Sequence, residues 1–290
     1  MSLRTLFNTK KPPFFSFELF PARDEKSARR QDKAIDSLLT LKPDFMSVTF
    51  GAGGSTREGS YDLVKRLMGL TAGNPEIVAY VAAYGLNPAV VRDVIQAYID
   101  IGVQTIFCIR GDRPHADEFF HPHPAAFPYA ADLLLDVHAH FDLCTGAAGY
   151  PEGHKEAVSL EEDLAAVRRK VAAGAEFIIS QYCYDNQWFF NFVKSCRQIG
   201  ITVPILAGIM PIYSESMTEN LARTCGASIT PDLRDGLAGL DADNNDAVSA
   251  FGIEFLIPKC RELLENGVDG LHFYTMNKSK SVAAILDAIR

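Results

Sequence analysis

The stretch Phe14-Phe15-Ser16-Phe17-Glu18-Leu19-Phe20-Pro21 sets the architecture of this chain. Aromatic and apolar residues dominate it, which favours a β-strand, and Pro21 ends the strand. Glu18 is the single carboxylate in the stretch. A carboxylate at the end of an apolar strand costs free energy unless it is solvated, paired or held in its neutral form. Glu18 is therefore either a strand-end group that reaches water or an acid with a chemical role, and this stretch alone favours the first.

Strand-like and helix-like segments alternate from this stretch to the end of the chain. The further predicted strands cover 44–50, 77–83, 104–109, 143–149, 177–182, 203–209 and 270–274. The predicted helices cover 24–41, 57–70, 88–101, 129–140, 160–173, 187–199 and 280–289, with three more at 215–224, 231–239 and 245–266. This alternation implies parallel strands joined by right-handed crossovers. We predict an α/β fold, a (β/α)8 TIM barrel of eight parallel strands with an extended helical segment before the last strand, forming one domain over residues 1–290.

A doubly wound open sheet is the alternative fold. The glycine-rich segment 51–56, GAGGST, follows the second predicted strand, where a dinucleotide-binding turn would stand. It lacks the third glycine of G-x-G-x-x-G, and the chain contains no Walker A motif. The open sheet is therefore disfavoured.

Composition excludes several classes of protein. The chain has 290 residues, of which 48% are hydrophobic, and its net charge of -8 provides no basic surface for nucleic acid. No signal peptide is visible and no apolar run is long enough to span a bilayer. The six cysteines form no C-x-x-C pair and most lie in apolar segments, so they indicate reduced core residues of a cytoplasmic protein.

Polar residues recur where the predicted strands end. In a barrel these ends converge on one mouth. The residues there are Glu18, Thr49, Tyr80, Arg110, Gly111, Asp112, Tyr150, Gln181, Gly208 and Tyr274. A purely structural barrel does not need this set, so we predict an active site at the mouth. Individually, Asp112 could be a turn residue, Arg110 could pair with Asp112 or Glu18, and Lys170 could be a solvated charge.

Other chemistries fit less well. His121-Pro122-His123 and His138-Ala139-His140 have the H-x-H form, but the first lies in a proline-rich loop and the second on a helix, where its rings point apart. No carboxylate stands at ligand spacing, so we expect no metal site. Glu18 and Asp112 could serve a glycoside hydrolase, although Trp188, the one tryptophan, is poor provision for sugar stacking.

Seven motifs carry a resemblance to a known family. In chain order they are FSFELFPAR, DFMSVTFGAGGST, IRGD, AAGYPEGH, SQYCYD, LAGIMPI and LHFYTMNKS. Their order and spacing resemble the methylenetetrahydrofolate reductases, most closely the single-domain bacterial enzymes. The resemblance implies a barrel that carries FAD and reduces 5,10-methylenetetrahydrofolate to 5-methyltetrahydrofolate with NADH or NADPH, the flavin shuttling the hydride. It also implies a cytoplasmic homo-oligomer of one-carbon metabolism and methionine biosynthesis, with small-molecule partners and no membrane or nucleic-acid partner.

The resemblance also assigns residues. Glu18 matches the general acid that protonates N10 of the folate, and Asp112 matches the carboxylate that stabilises the resulting cation. The residues that match FAD contacts are Thr49, Tyr80, Arg110, Gly111, Asp112, Ala148, Tyr150, His154, Asp163 and Lys170. Those that match folate contacts are Glu18, Gln181, Tyr274 and Lys278. Burial among phenylalanines favours the neutral form of a carboxyl group, which suits a proton donor.

Four positions depart from the family pattern. Tyr80 stands where many members have histidine, and Lys278 stands where arginine is common, which replaces a bidentate grip with a point charge. Met217 and Leu221 replace polar and aromatic substrate contacts. These departures support one alternative function, a homologue with altered cofactor use or one that binds folate without turnover.

Overall fold

The computed structural model describes residues 2–50, 57–112 and 121–290. The glycine-rich segment 51–56 and residues 113–120, which precede His121 in the proline-rich loop, lie outside the described residues. Within them, eight parallel strands close into a barrel in the order of the chain, β1 to β8, and β8 pairs with β1. The predicted TIM barrel is confirmed.

The observed elements follow the predicted order. The strands are β1 (Phe14–Leu19), β2 (Phe45–Val48), β3 (Glu76–Ala82), β4 (Thr105–Ile109), β5 (Cys144–Gly149), β6 (Phe177–Ser180), β7 (Ile205–Ile209) and β8 (Gly270–Tyr274). The helices are α1 (Leu3–Thr9), α2 (Glu25–Thr40), α3 (Arg57–Thr71), α4 (Pro88–Asp100), α5 (Ala130–His140), α6 (Leu160–Ala172), α7 (Asn186–Gln198), α8 (Glu215–Cys225), α9 (Pro231–Ala238), α10 (Asn245–Glu265) and α11 (Lys280–Ile289). Helices α8 to α10 are the predicted extended segment, whereas α1 was not predicted.

The alternation of β1 decides where Glu18 points. Phe15, Phe17 and Leu19 pack in the core between strands and helices, whereas Phe14 packs in the separate cluster inside the barrel. Successive side chains of a strand point to opposite faces. Ser16 and Glu18 therefore share the inward direction of Phe14, and Glu18, nearest the strand end, lies at the mouth.

Large rings fill the barrel interior because a neighbouring strand is made of small residues. A Cβ at Gly146 of β5 would lie 2.2 Å from the Phe177 ring and 2.7 Å from the Phe107 ring. Glycine at this position therefore leaves room for the two phenylalanines. The weak strand pattern of CTGAAG reflects this packing, since its small residues leave the space that neighbouring rings occupy.

Helix α1 closes the end of the barrel opposite the mouth. Leu3 is fully buried, and its N–H donates to the Thr105 hydroxyl (3.2 Å), which donates to the Glu76 carboxylate (3.0 Å). The Arg4 guanidinium donates to Glu176 at 2.7 and 2.9 Å. A helix this short carries too few apolar residues for a clear period, so long-range contacts determine it.

The structure also bears on the predictions about the cysteines and about membrane-spanning segments. All six cysteines are free thiols, and four of them are buried. None of the helices in the described part of the chain is long and apolar enough to cross a membrane.

Candidate active site

Glu18 lies inside the mouth of the barrel, almost fully buried at 3% exposure. Its carboxylate oxygen Oε2 is 3.7 Å from Nε2 of His272, a residue that is 0% exposed. The Thr275 hydroxyl donates to the backbone carbonyl of Glu18 (2.6 Å), which fixes the end of β1 against the turn after β8. The side chain is therefore not a strand-end group in open water.

Two tyrosines surround this carboxylate. Tyr80 stacks on Phe107 with ring centres 4.5 Å apart. Burial raises the pKa of Tyr80 well above its usual value, and the Glu18 charge adds to the rise. Burial and then the Glu18 charge likewise raise the pKa of Tyr274, whose hydroxyl donates to the Ser180 carbonyl (2.9 Å). Both phenols therefore stay protonated at neutral pH and offer aromatic walls to a ligand.

Gly208 lets Tyr274 approach the neighbouring strands. A Cβ there would lie 2.3 Å from the Ser180 carbonyl oxygen and 2.8 Å from the Tyr274 ring. Gln181 follows Ser180 and is half-buried, and its backbone N–H donates to the Gly149 carbonyl (2.7 Å). The amide of Gln181 is thus carried on a fixed backbone at the mouth.

A cavity of about 300 Å³ opens beside the mouth, between the ends of β4 and β5 and helices α5 and α6. Six of the ten predicted FAD contacts line it: Arg110, Ala148, Tyr150, His154, Asp163 and Lys170. Three further lining residues that the sequence did not single out are Tyr129, Glu156 and Arg169. The cavity thus combines several cations with a small apolar floor.

Lys170 and Asp163 oppose each other in this cavity. The Lys170 ammonium donates to the Ala148 carbonyl (2.9 Å) and lies 5.5 Å from the centre of the Tyr150 ring. Desolvation lowers the pKa of Lys170 to about 8, against the attraction of Asp163. Burial raises the pKa of Asp163, against Lys170 and His154. Two charges are thus held where solvation is poor, which indicates a binding site more than a surface ion pair.

Arg110 has a partner that the sequence did not reveal. Its guanidinium donates to both carboxylate oxygens of Glu156, at 2.6 and 2.9 Å, and lies 5.8 Å from the Tyr84 ring centre. The suggested pairing with Asp112 or Glu18 is replaced by this bidentate contact. His154 accepts from the Glu156 N–H at Nδ1 (3.2 Å), and burial lowers the pKa of His154. Its imidazole is therefore neutral at pH 7.

Asp112 is exposed at the mouth, whereas Glu18 is buried. Burial raises the pKa of the Cys225 thiol on α8, and the charges of Glu18 and Asp112 add to the rise. Both carboxylates thus lie within electrostatic range of one point at the mouth. Gly111 precedes Asp112 with φ of +83°, a conformation that favours glycine.

Two other predicted contacts lie at the mouth and outside the cavity lining. The Thr49 N–H donates to the Leu19 carbonyl (3.0 Å), so Thr49 stands directly after β2. The Lys278 ammonium is exposed and lies 4.3 Å from the centre of the Tyr213 ring, and desolvation lowers its pKa. Lys278 is therefore a partly stacked cation at the rim.

The histidine pair on α5 has structural partners. On α5, His138 Nε2 is 2.9 Å from the Thr145 hydroxyl, whereas His140 Nδ1 is 2.7 Å from the Asp136 carbonyl. The two rings therefore point apart, as the helical spacing predicts. In the described ranges 2–50, 57–112 and 121–290, no three His, Cys, Asp or Glu side chains come together as a metal site.

Comparison with known proteins identifies relatives over the whole barrel. The family model for methylenetetrahydrofolate reductase matches residues 2–290. Methylenetetrahydrofolate reductase (NADH) 1 of Arabidopsis thaliana is 33% identical over 283 residues, which cover 94% of this chain and 47% of the plant protein. The 5,10-methylenetetrahydrofolate reductase of Escherichia coli K12 is 32% identical over 272 residues, covering 93% of this chain and 88% of the bacterial protein. The chain thus spans about half the length of its plant relatives and most of the bacterial one.

Solved structures share the fold at low sequence identity. A protein from Clostridium thermocellum that binds two copies of 5-methyl-5,6,7,8-tetrahydrofolic acid has a TM-score of 0.65 at 14% identity, covering 99% of this chain and 97% of the other. Dihydropteroate synthase from Xanthomonas albilineans has a TM-score of 0.52 at 14% identity, covering 94% and 90%. These likenesses concern the barrel alone. The match over residues 2–290, together with 32% identity over most of the Escherichia coli enzyme, shows that the chain belongs to the methylenetetrahydrofolate reductase family.

Proposed function

We propose that this chain reduces 5,10-methylenetetrahydrofolate to 5-methyltetrahydrofolate with NADH or NADPH, using FAD, and that residues 1–290 act as one catalytic barrel domain. The observation that carries the proposal is the position of Glu18, a carboxylate buried inside the mouth next to a cavity lined by the buried Asp163 and the partly buried Lys170. Family membership supports the same reaction.

The cavity suits the phosphate and ribose part of an FAD dinucleotide. Lys170, Arg110 and Arg169 offer cations to phosphate oxygens, and the Asp163 carboxylate offers an acceptor to ribose hydroxyls. Asp163 and Lys170 lie seven residues apart on α6, so they share a helix face and act from one side. When bound, FAD supplies the hydride transfer between the two substrates.

Glu18 would donate the proton that the folate needs. Opening the five-membered ring of methylenetetrahydrofolate requires a proton on N10, so a carboxylic acid must stand at that nitrogen. Glu18 is surrounded by Tyr80, Tyr274 and His272, which exclude water from it. The positive charge that develops on the opened substrate needs a nearby anion, and the exposed carboxylate of Asp112 would supply it.

The mouth also offers contacts to the rest of the folate. Tyr274 has its hydroxyl engaged by Ser180, so its ring face remains for the substrate. The Gln181 amide would bond to polar edges of the pterin. Lys278 at the rim would attract the carboxylates of the tail as a point charge.

The test separates the two half-reactions under nitrogen. Purified protein with FAD should be yellow, NADH should bleach it, and methylenetetrahydrofolate should restore the colour. In Glu18→Gln we expect the NADH step to be preserved and the folate step to slow by about 10²–10⁴-fold, the usual contribution of a general acid. Glu265→Gln, an exposed change at the end of α10, is the matched control.

Two results contradict the proposal. Equal loss of both half-reactions in Glu18→Gln would assign Glu18 a structural role. A protein that binds reduced folate but shows no hydride transfer with either nicotinamide cofactor would instead be a folate-binding homologue without turnover.

A further inference from the structure

We propose that Ser16 and His272 form a buried hydrogen-bonded pair that positions Glu18 and stabilises its carboxylate after the proton has left. The inference rests on the proposed function of Glu18 as the proton donor. Neither residue touches the substrate in this scheme, so both act through Glu18 as positioning residues.

The register of the barrel brings the three side chains together. In the β1–β8 pairing, Ser16 is opposite His272, and Glu18 is opposite Tyr274. Ser16 and His272 are both 0% exposed. The Ser16 hydroxyl oxygen is 2.7 Å from His272 Nδ1, and His272 Nε2 is 3.7 Å from Glu18 Oε2. The imidazole thus bridges a buried hydroxyl and the proposed acid.

Aromatic contacts hold the imidazole in this orientation. The ring of Phe45 is nearly parallel to it, with centres 5.9 Å apart and planes at 18°. The Tyr274 ring meets it edge-on, at 5.2 Å and 88°. Because the imidazole packs between two aromatic side chains, its rotation is restricted and its nitrogens face Ser16 and Glu18.

Hydrogen-bond counting selects the tautomer. If His272 Nδ1 carried the proton, the lone pair of Nε2 would face the carboxylate, and the Ser16 hydrogen would need another acceptor in a buried site. If Ser16 donates to Nδ1, the proton lies on Nε2 and points towards Glu18. Among the described residues, Nε2 has no hydrogen-bond partner, so this N–H is available to Glu18 alone.

The other titratable groups within electrostatic range of Glu18 are two tyrosines and the Cys225 thiol of α8, whose pKa is raised by burial and then by nearby charges that include Glu18. Tyr80 lies within hydrogen-bonding reach of Glu18, and Tyr274 is tied to the Ser180 carbonyl. Both have raised pKa values through burial and stay neutral. The imidazole N–H is therefore a donor held from below the carboxylate, on the side away from the open mouth.

The step balances without any further reactant. The O–H bond of Glu18 breaks as the N10–H bond of the folate forms, and no electrons are transferred to the protein. Negative charge appears on the carboxylate, and the His272 N–H becomes a charge-assisted donor to it. Stabilising this conjugate base makes Glu18 a better proton donor.

Two substitutions at one position test the inference. The amide nitrogen of glutamine reaches about as far as Nε2, and that of asparagine only about as far as Nδ1. His272→Gln should therefore retain a donor to Glu18, and His272→Asn should lose it. We expect the folate half-reaction of His272→Asn to slow by about 10–100-fold, the usual worth of a hydrogen bond to a charged group, and that of His272→Gln by only a few fold. The NADH half-reaction should keep its wild-type rate in both.

The pH profile gives a readout that a merely structural role would not move. The folate half-reaction requires protonated Glu18, so its rate falls as pH rises. Loss of the donor makes the carboxylate less stable, so in His272→Asn the alkaline limb should move upward by about one pH unit. Ser16→Ala should move it in the same direction by less, because the tautomer is no longer fixed.

The outcomes separate this inference from the proposed function. If wild-type protein reduces the folate and His272→Asn matches His272→Gln in rate and pH profile, the pair does not act on Glu18. If His272→Asn loses both half-reactions in parallel and has a lower thermal stability, His272 has only a structural role in the core. If Ser16→Ala has normal rates and an unshifted alkaline limb of its pH profile, Ser16 has no role. Absence of folate reduction in the wild type would reject the proposed function itself.

Discussion

Replacing Lys170 with methionine should stabilise the FAD-free barrel. Methionine keeps an unbranched side chain as far as Cε and removes the charged nitrogen. The pKa of Lys170 falls from 10.5 to about 8 through desolvation. This difference corresponds to about 3 kcal/mol by which the folded state disfavours the ammonium at pH 7. The attraction of Asp163 is already included in this pKa, so the further loss is the donor to the Ala148 carbonyl, which offsets ~1–2 kcal/mol of the gain.

The sign of the pH dependence follows from proton counting. The unfolded chain keeps the Lys170 proton up to pH 10.5, whereas the folded chain releases it near pH 8. Between these values the unfolded state binds more protons, so the free energy of unfolding of the wild type rises with pH relative to the variant. The advantage of Lys170→Met at pH 7 should therefore shrink by up to about 3 kcal/mol on going from pH 8 to 10.5.

Urea unfolding of FAD-free protein at a series of pH values measures this difference directly. FAD must be removed, because a bound ligand adds its own stabilisation. Lys194→Met, an exposed change on α7, is the matched control and should give a constant difference across the same range. A Lys170→Met protein that is less stable than wild type at pH 7, with no convergence at high pH, would refute the reasoning. In the same variant FAD should bind about 10–100-fold more weakly, because a charged donor is lost.

Four further substitutions probe separate parts of the molecule. Gly208→Ala places a Cβ 2.3 Å from the Ser180 carbonyl oxygen, so it should lower both Tm and folate affinity. In Gly69→Ala on α3 the new Cβ meets nothing within 4 Å, so this variant should gain up to ~1 kcal/mol of stability in urea unfolding. Glu156→Gln should change the free energy of unfolding by less than about 1 kcal/mol, since the carboxylate is 52% exposed, yet tighten FAD binding measured by flavin fluorescence, because Arg110 is released for phosphate. Leu3→Ala should cost about 2–5 kcal/mol in urea unfolding while leaving both half-reactions unchanged.

The periodic parts of the sequence predict the fold because each segment's own pattern agrees with the barrel. Pro88 begins α4 with Asn87 as its cap, and Ser159 caps α6 by accepting from the Glu162 N–H. Such capping signals are local, so they can be recognised without knowing how the rest of the chain folds. Helix α1 has a cap in Ser2 but is only seven residues long, and it owes its position to Leu3 and Arg4, whose partners lie more than a hundred residues away.

Within the candidate site, strand ends could be predicted and partners could not. The carboxyl ends of the strands place Glu18, Gln181 and Tyr274 at one mouth whatever the loops do. The partner of Arg110 depends on the conformation of the loop after β5, which no periodic pattern determines. His272 lies in the LHFYTMNKS motif, but its relation to Ser16 follows from the β1–β8 register, which only the closed barrel reveals.

The residues at the two ends of this barrel have opposite effects on its stability. At the mouth, Glu18, Asp163 and Lys170 are held where solvation is poor, and such groups destabilise an empty site. At the other end, Leu3 seals an aromatic interior, and Arg4 binds acidic groups of two neighbouring segments. Stability gained at that end therefore permits unfavourable charges at the mouth. Substitutions at the sealed end should accordingly lower stability without altering catalysis, whereas neutral substitutions in the cavity should weaken FAD binding while raising the stability of the empty barrel.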